Sequence, residues 1–293
     1  MVRSGFLVLD KPEGITSHDL INRARRVLGT RKIGHAGTLD PMATGVMVLG
    51  VESATRLLDY VMAGKKRYLA TIKMGVLTLT DDRAGETLET VPVNESMMDM
   101  AAERLSVMTG LIKQVPSRVS AIKVDGKRAY DRVRDGEDVE LKAREVEIFT
   151  MKVLSRRQDE FDIDVTCSPG TYIRAIARDV GGHLTSLRRI ESKPFTLADC
   201  SDLDSPVLIP PATAMGQVMA LYEVEAAEQG EIALGRAIPS RSEQLKKSPV
   251  EPLRTDLYGV VSSSGDLISL VKPEAGKLQP VVVLPESRSE IAK

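Results

Sequence analysis

The sequence predicts an α+β protein: a mixed, mostly antiparallel sheet with flanking helices, followed by a small β-rich C-terminal module. Three observations carry that expectation. Residues 68–74 and 161–167 alternate apolar with polar side chains, the period-two mark of a half-buried strand. Between and around them lie segments whose apolar residues recur at helical spacing. Beyond a proline-rich connector at 205–213, three short strand-like runs follow one another.

Taken in order, Phe6–Leu9 is a short apolar run suited to a strand. Leu20, Ile21, Ala24, Val27 and Leu28 share one face of a helix whose polar side carries Arg23 and Arg26, and Gly29 fits the position just past its end. Tyr68, Ala70, Ile72 and Met74 alternate with Leu69, Thr71 and Lys73 as a strand. Met98, Ala101, Ala102, Leu105 and Met108 form an amphipathic helix closed by Gly110. Phe161, Ile163, Val165 and Cys167 make a second alternating strand, broken by Ser168-Pro169-Gly170. Ile173, Ile176, Ala177 and Val180 then begin a helix that Gly181-Gly182 ends. The stretch from Ser205 to Thr213 reads as a connector, since proline suits neither a helix interior nor a central strand. After it come a short helical stretch and the runs Leu257–Val261, Leu267–Val271 and Val281–Leu284, the first two joined by a turn at Ser262–Asp266. Residues 1–210 are therefore expected to form one domain and 211–293 the module, with a frayed tail from Pro285 onward.

Composition narrows the class. Of 293 residues, 42% are hydrophobic and 28% charged, enough for a sizeable core and too apolar for disorder. The net charge of −1 excludes a uniformly basic nucleic-acid coat but not a basic face. Residues 1–75 hold 12 Lys/Arg against 6 Asp/Glu, whereas residues 201–293 hold 9 against 13. Arg23, Arg25, Arg26, Arg31 and Lys32 lie close together, then Lys65, Lys66 and Arg67; charge alone reads this as a solvated helix face plus a strand edge. Two cysteines cannot make a disulfide framework and fit a reduced cytosolic compartment. None of the three histidines has zinc-ligand spacing to a cysteine. No stretch approaches the roughly 18 apolar residues of a spanning helix, and the N-terminus lacks a signal-peptide apolar core. A cytoplasmic protein is expected.

The densest local signal is Gly34-His35-Ala36-Gly37-Thr38-Leu39-Asp40-Pro41-Met42-Ala43-Thr44-Gly45. Its glycines let backbone approach a ligand closely. It is no phosphate-cradling loop, because no Gly-Lys-Ser/Thr follows at the required spacing. Pro41 pushes Asp40 out of the α region. On local pattern alone, the commoner role for such an aspartate is to cap a helix that the proline begins. Alone, Tyr68 reads as strand packing, Arg174 as an exposed helix-start residue and His35 as a hydrogen-bonded loop residue.

These residues carry a resemblance. Residues 34–45 match throughout the Gly-His-x-Gly-Thr-Leu-Asp-Pro-x-Ala-Thr-Gly pattern of the bacterial TruB-type tRNA pseudouridine(55) synthase family. Further blocks resemble the family in order: Leu9–Asp19; Lys66-Arg67-Tyr68; Gly75, Thr78, Thr80, Asp82 and Gly85; Pro116-Ser117, Ser120-Ala121, Lys123, Gly126, Arg128, Tyr130 and Arg134; and Ser168 with Gly170-Thr171-Tyr172-Ile173-Arg174. The similarity spans about residues 5–195, departing mildly at Met47, Arg56 and Val133, and the C-terminal part matches more weakly. The resemblance implies a pseudouridine synthase-like fold and an isomerase that converts uridine to pseudouridine in the tRNA T-loop. That reaction breaks an N-glycosidic bond, turns the base and rejoins it through carbon, so it requires neither redox cofactor nor metal. It requires a nucleophile that attacks and later leaves, and an ionised carboxylate suits both tasks. By resemblance that nucleophile is Asp40, with Arg174 offsetting the desolvation that would return its proton. By the same route Tyr68 stacks on the reacting base, Tyr172 shapes the pocket, Leu187 lies near the base, and His35 fills the gap left when the base flips out. The basic first quarter, with Lys11, Arg23, Arg26, Arg31 and Lys32, is expected to contact phosphates. The expected partner is the tRNA T-stem-loop, with no membrane, no obligatory protein partner and a monomeric chain. The module resembles an RNA-binding appendage loosely, and a stabilising β cap fits it equally.

Overall fold

The computed structural model describes residues 3–117, 141–246 and 252–285, with backbone alone for 123–124 and 127–128. Ser120, Ala121, Gly126, Tyr130 and Arg134 of the central block, and the tail after Pro285, lie outside the described residues.

The strands are β1 (Gly5–Lys11), β2 (Ile33–His35), β3 (Thr44–Val51), β4 (Lys66–Met74), β5 (Val76–Thr78), β6 (Thr87–Thr90), β7 (Gly110–Gln114), β8 (Lys123–Val124), β9 (Lys127–Arg128), β10 (Arg144–Arg156), β11 (Glu160–Cys167), β12 (Gly182–Ser192) and β13 (Phe195–Thr196). The helices among them are α1 (Ser17–Leu28), α2 (Leu58–Met62), α3 (Glu95–Val107) and α4 (Ile173–Asp179). The main sheet runs β1-β3-β12-β4-β11-β10-β7, with β2 beside β3 and β13 beside β12. Every pairing in it is antiparallel except β12 with β3. The expected α+β fold with a mixed, mostly antiparallel sheet is the one observed.

Local chemistry explains the elements. Thr16 caps α1, its side chain accepting from the Asp19 amide while Asp19 accepts from the Thr16 amide, and Gly29 ends it in the left-handed region. Leu20, Ile21 and Ala24 are buried against Leu7, Leu9, Met47 and Leu49 of β1 and β3. Val27, assigned by spacing to the same face, is instead largely exposed in the last turn. In β4, Tyr68, Ala70, Ile72 and Met74 all point inward, as do Phe161, Ile163, Val165 and Cys167 of β11. Their face is covered by α3 through Met98, Ala101 and Leu105 and by α4 through Ile173, Ile176 and Ala177. Helix α3 stops at Val107 with Met108 as its cap, so Gly110 does not close it; with φ of 81° it opens β7.

After the connector come α5 (Pro211–Gly216), β14 (Ala220–Glu223), α6 (Ala226–Ala233), β15 (Ile238–Pro239), β16 (Leu245–Lys246), β17 (Tyr258–Val261), β18 (Leu267–Glu274) and β19 (Lys277–Val283). Pro211 is tolerated because it occupies the first turn of its helix. These strands form a second sheet, β15-β19-β18-β17-β14-β16, in which β14 and β17 are parallel. Ala214, Met215, Val218, Leu267 and Leu270 share one apolar cluster with Phe6, Val8, Val46 and Val48. The β1–β3 pair is thus buried on both faces, by α1 on one and by the C-terminal sheet on the other, and reads as continuous apolar sequence for that reason.

Candidate active site

Four segments converge where β3, β4 and β12 meet. Tyr68 sits between Val165 of β11 and Arg189 of β12 in register. Opposite β4, strand β12 carries an irregularity between Arg189 and Glu191, the kind of bulge that re-aims side chains. Leu187 and Arg189, two apart, both face the opening. The turn after β11 leads into α4, which brings Arg174 to the same place. The loop from Ala36 to Ala43 supplies Asp40 from the fourth side.

That loop is held from beneath. The Ser17 hydroxyl at the start of α1 donates to the Leu39 carbonyl and accepts from the Leu39 amide, both at 2.9 Å. The Lys11 ammonium donates to the carbonyls of Pro12, Pro41 and Ala43 at 3.0, 3.2 and 2.7 Å. Lys11 is fully buried. It therefore cannot be a surface phosphate contact, as its place in the basic block suggested; its charge is spent on loop carbonyls. Burial pushes its pKa down, opposed by Asp40 and then Glu13. Pro41 and Met42 form a turn rather than a helix, so Asp40 caps nothing. Gly45 is required where the loop enters β3: its φ is +104°, and a Cβ there falls 2.1 Å from the Arg189 carbonyl oxygen.

Asp40 and Arg174 meet as a two-point pair. Arg174 Nε lies 2.9 Å from Oδ2, and Nη2 donates to Oδ1 at 3.2 Å. The guanidinium is almost wholly buried, whereas the Asp40 side chain is 33% exposed. Arg174 Nη1 donates to the Thr80 carbonyl at 2.8 Å and stands 3.6 Å from Asp82 Oδ2. Burial pushes the Asp40 pKa up; Arg174 pulls it down, Asp82 adds to the rise and Lys11 opposes it. Arg174 is thus the strongest influence favouring the ionised form of a carboxylate that burial disfavours.

Asp40, Tyr68, Tyr172, Arg174 and Leu187 line one cavity of about 510 Å³. Burial raises the Tyr68 pKa, with Arg189 pulling the other way. Tyr172 is the residue before α4, and its amide and carbonyl are clamped by the side-chain amide of the buried Gln114 at 2.8 and 3.0 Å. His35 is not part of the cavity wall. It lies half-buried on β2, paired with Leu49, its Nδ1 lacking a partner among the described residues. Burial and then the nearby Arg189 lower its pKa. Sequence reasoning gave Lys66 no role in the site beyond its place in the basic cluster and the Lys66-Arg67-Tyr68 block, and did not single out Arg189; both line the cavity beside Tyr68. Period-two spacing from Tyr68 and from Leu187 is the signal that finds both. Among the described residues no three His, Cys, Asp or Glu side chains group as a metal set, and no helix is long and apolar enough to cross a membrane.

A pocket of this size admits a planar base, a carboxylate reaches it, and a tyrosine ring forms one wall. Residues 25–173 match the model of the TruB family pseudouridylate synthase N-terminal domain. The chain is 42% identical over 99% of both sequences to a tRNA pseudouridine synthase B of Arthrobacter sp. (strain FB24). It is 44% identical to a protein of the same name from Corynebacterium aurimucosum, over 96% of each. Among solved structures it resembles a Cbf5-Nop10-Gar1 complex, with TM-score 0.67 and 22% identity over 95% of this chain and 83% of that one. An archaeal box H/ACA Nop10-Cbf5 complex gives TM-score 0.66 at 20% identity, over 96% and 85%.

Proposed function

The chain belongs to the TruB family of pseudouridylate synthases, and from that premise we propose that it isomerises uridine to pseudouridine in the T-loop of tRNA, at position 55, with Asp40 as the nucleophile. The observation that carries this reading is the Asp40–Arg174 pair opening into the cavity walled by Tyr68. Arg174 opposes the desolvation that raises the Asp40 pKa and so favours the ionised, attacking form of the carboxylate. Tyr68 offers the ring on which an extruded uracil stacks, worth roughly 1–3 kcal/mol, and Leu187 closes the pocket from β12. Arg174 is the positioning residue that fixes the direction of the attacking oxygen.

Binding of a folded RNA rests on shape and phosphate contacts. Arg23, Arg26, Arg31 and Lys32 are exposed, and among the described residues none has a carboxylate partner. Arg26 and Arg31, with Arg25, line an open hollow of about 420 Å³ at the far end of α1. Helix α1 leads from Ser17, beside the Asp40 loop, to this hollow, which suits a face that holds the RNA backbone while the loop is read. Residues 1–210 form the catalytic part in this account and 211–293 the module packed behind β1 and β3. The test is to incubate the protein with an unmodified tRNA pool and map carbon-linked uridine isomers. Modification at the T-loop position supports the assignment; modification confined to other sites overturns it.

A further inference from the structure

Beside the Asp40–Arg174 pair, the cavity wall holds two more cations. Lys66 and Arg189 are 5% and 2% exposed, and among the described residues neither forms an ion pair. Their hydrogen bonds go to neutral groups: Lys66 Nζ donates to the Met62 carbonyl at 3.2 Å, and Arg189 donates to the carbonyls of Val46 at 2.8 Å and Gly37 at 3.2 Å, to Met47 Sδ at 3.7 Å and to the Tyr68 hydroxyl. Elsewhere on the described surface many arginines stand against a carboxylate, as in Arg67–Asp164, Arg157–Asp162 and Arg254–Asp256. Burying positive charge without a counter-ion is costly, and two such charges side by side in a cleft imply an anion that is present only part of the time. Both flank Tyr68: Arg189 opposes it across the sheet, and Lys66 lies two residues along β4 on the same face.

We propose that Lys66, supported by Arg189, is a catalytic residue that stabilises the negative charge appearing on the uracil carbonyl oxygens during isomerisation. The idea rests on the proposed reaction and deepens it. If the Asp40 oxygen bonds to C1′, the C1′–N1 bond breaks and its electron pair spreads from N1 onto O2 and O4. If the oxygen bonds to C6, the C5–C6 π pair moves to C5 and O4. On that second course the C1′–N1 bond breaks next, its electron pair staying on N1. On either course the base is anionic until its C5 bonds to C1′; the carboxylate then departs with the electron pair of its bond to C1′ or C6, the C5 hydrogen leaves as a proton and N1 takes one up. Donors fixed in a dry pocket act most strongly on such transient charge. The free protein stores the opposite condition: burial and the adjacent Arg189 push the Lys66 pKa down to about 7, Cys167 opposing weakly because its own thiol is pushed up to about 11. The other charged and titratable groups facing the site are Tyr68, whose pKa is also raised, Tyr172, and the Asp40–Arg174 pair across the cavity.

The experiment measures single-turnover isomerisation of a T-loop hairpin by wild type, Lys66→Met and Lys66→Arg, from pH 6 to 9, with affinity for the pseudouridine-containing product hairpin alongside. Wild-type kcat/KM is expected to fall as pH rises through about 7, because the free enzyme loses the ammonium proton. Lys66→Met loses about 100-fold in rate at pH 6.5, lacks that alkaline limb, and binds product hairpin within threefold. Lys66→Arg recovers activity and carries it to pH 9. A variant that keeps the wild-type rate and limb overturns the inference. So does one whose defect is confined to affinity with a salt slope shallower by about 0.7, which marks a phosphate contact instead. So does a rate loss that tracks a lowered melting temperature in both variants, which marks a structural lysine. Wild type that isomerises no hairpin uridine at all defeats the underlying reaction, a result distinct from each of these.

Discussion

Replacing Arg174 with methionine isolates the electrostatic core of the mechanism. The guanidinium makes its two-point contact with Asp40 at 2.9 and 3.2 Å. Two unit charges about 4 Å apart at an effective dielectric of about 20 interact by about 4 kcal/mol. At about 1.4 kcal/mol per pKa unit, that bounds the effect near three units. Solvent reaching the partly exposed carboxylate trims it, so a rise of one to two units is expected, within the range of about 1–3 for a neighbouring opposite charge. Asp82, 3.6 Å from the departing Nη1, works in the same direction once unscreened. The sign follows: the attacking form is ionised, so its population falls when the pKa rises, and the acidic limb of kcat/KM moves to higher pH. The assay is release of tritium from a hairpin carrying 5-tritiated uridine, between pH 5 and 9. Arg174→Met should move the limb up by one to two units, and Arg174→Lys, which keeps a charge but not the fork, by less. A limb that stays at its wild-type position in Arg174→Met, in protein whose melting curve shows it folded, refutes this reasoning.

Three further outcomes are expected. Tyr68→Leu removes the ring but keeps an apolar strand residue, so most turnover should disappear while the fold persists; near-normal rates on a T-loop hairpin mean that Tyr68 only packs the strand. Gly45→Ala forces a Cβ to within 2.1 Å of the Arg189 carbonyl at positive φ. It should cost at least about 1–3 kcal/mol and lower the melting temperature by roughly 2–4 °C per kcal/mol, and an unchanged calorimetric transition contradicts it. RNA affinity should fall linearly in log[salt], by about 0.7 per contacted phosphate. Arg23→Gln with Arg26→Gln should flatten that slope, whereas a wild-type slope near zero removes the α1 face from binding.

The parts of the molecule legible in its sequence share a physical trait: they are patterned locally. Alternation placed Tyr68 and Phe161–Cys167 correctly because both strands bury one face against α3 and α4. The glycine-rich loop announced itself because Gly37 and Gly45 adopt backbone angles closed to other residues. What was not legible depends on contacts between distant segments. Lys11 belongs to a basic stretch on paper, yet its ammonium turns inward because the Asp40 loop presents two carbonyls to it, with that of Pro12 as a third acceptor. Lys66 and Arg189 become neighbours only through the β4–β12 register and its irregularity. Short strands such as Ile238–Pro239 and Leu245–Lys246 carry too few residues to show a period, and the parallel β14–β17 pairing is fixed by packing alone. Val27 has helical spacing but is exposed in the last turn, where Leu28 beside it makes the contact with the core.

The most direct measurement pairs wild type with Asp40→Asn on one unmodified T-loop hairpin, following formation of the carbon-linked isomer and hairpin affinity together. Wild type should convert the target uridine, and the asparagine form should bind within a few-fold while converting none, since the substitution keeps shape and removes only the attacking charge. Sustained turnover by Asp40→Asn contradicts the account.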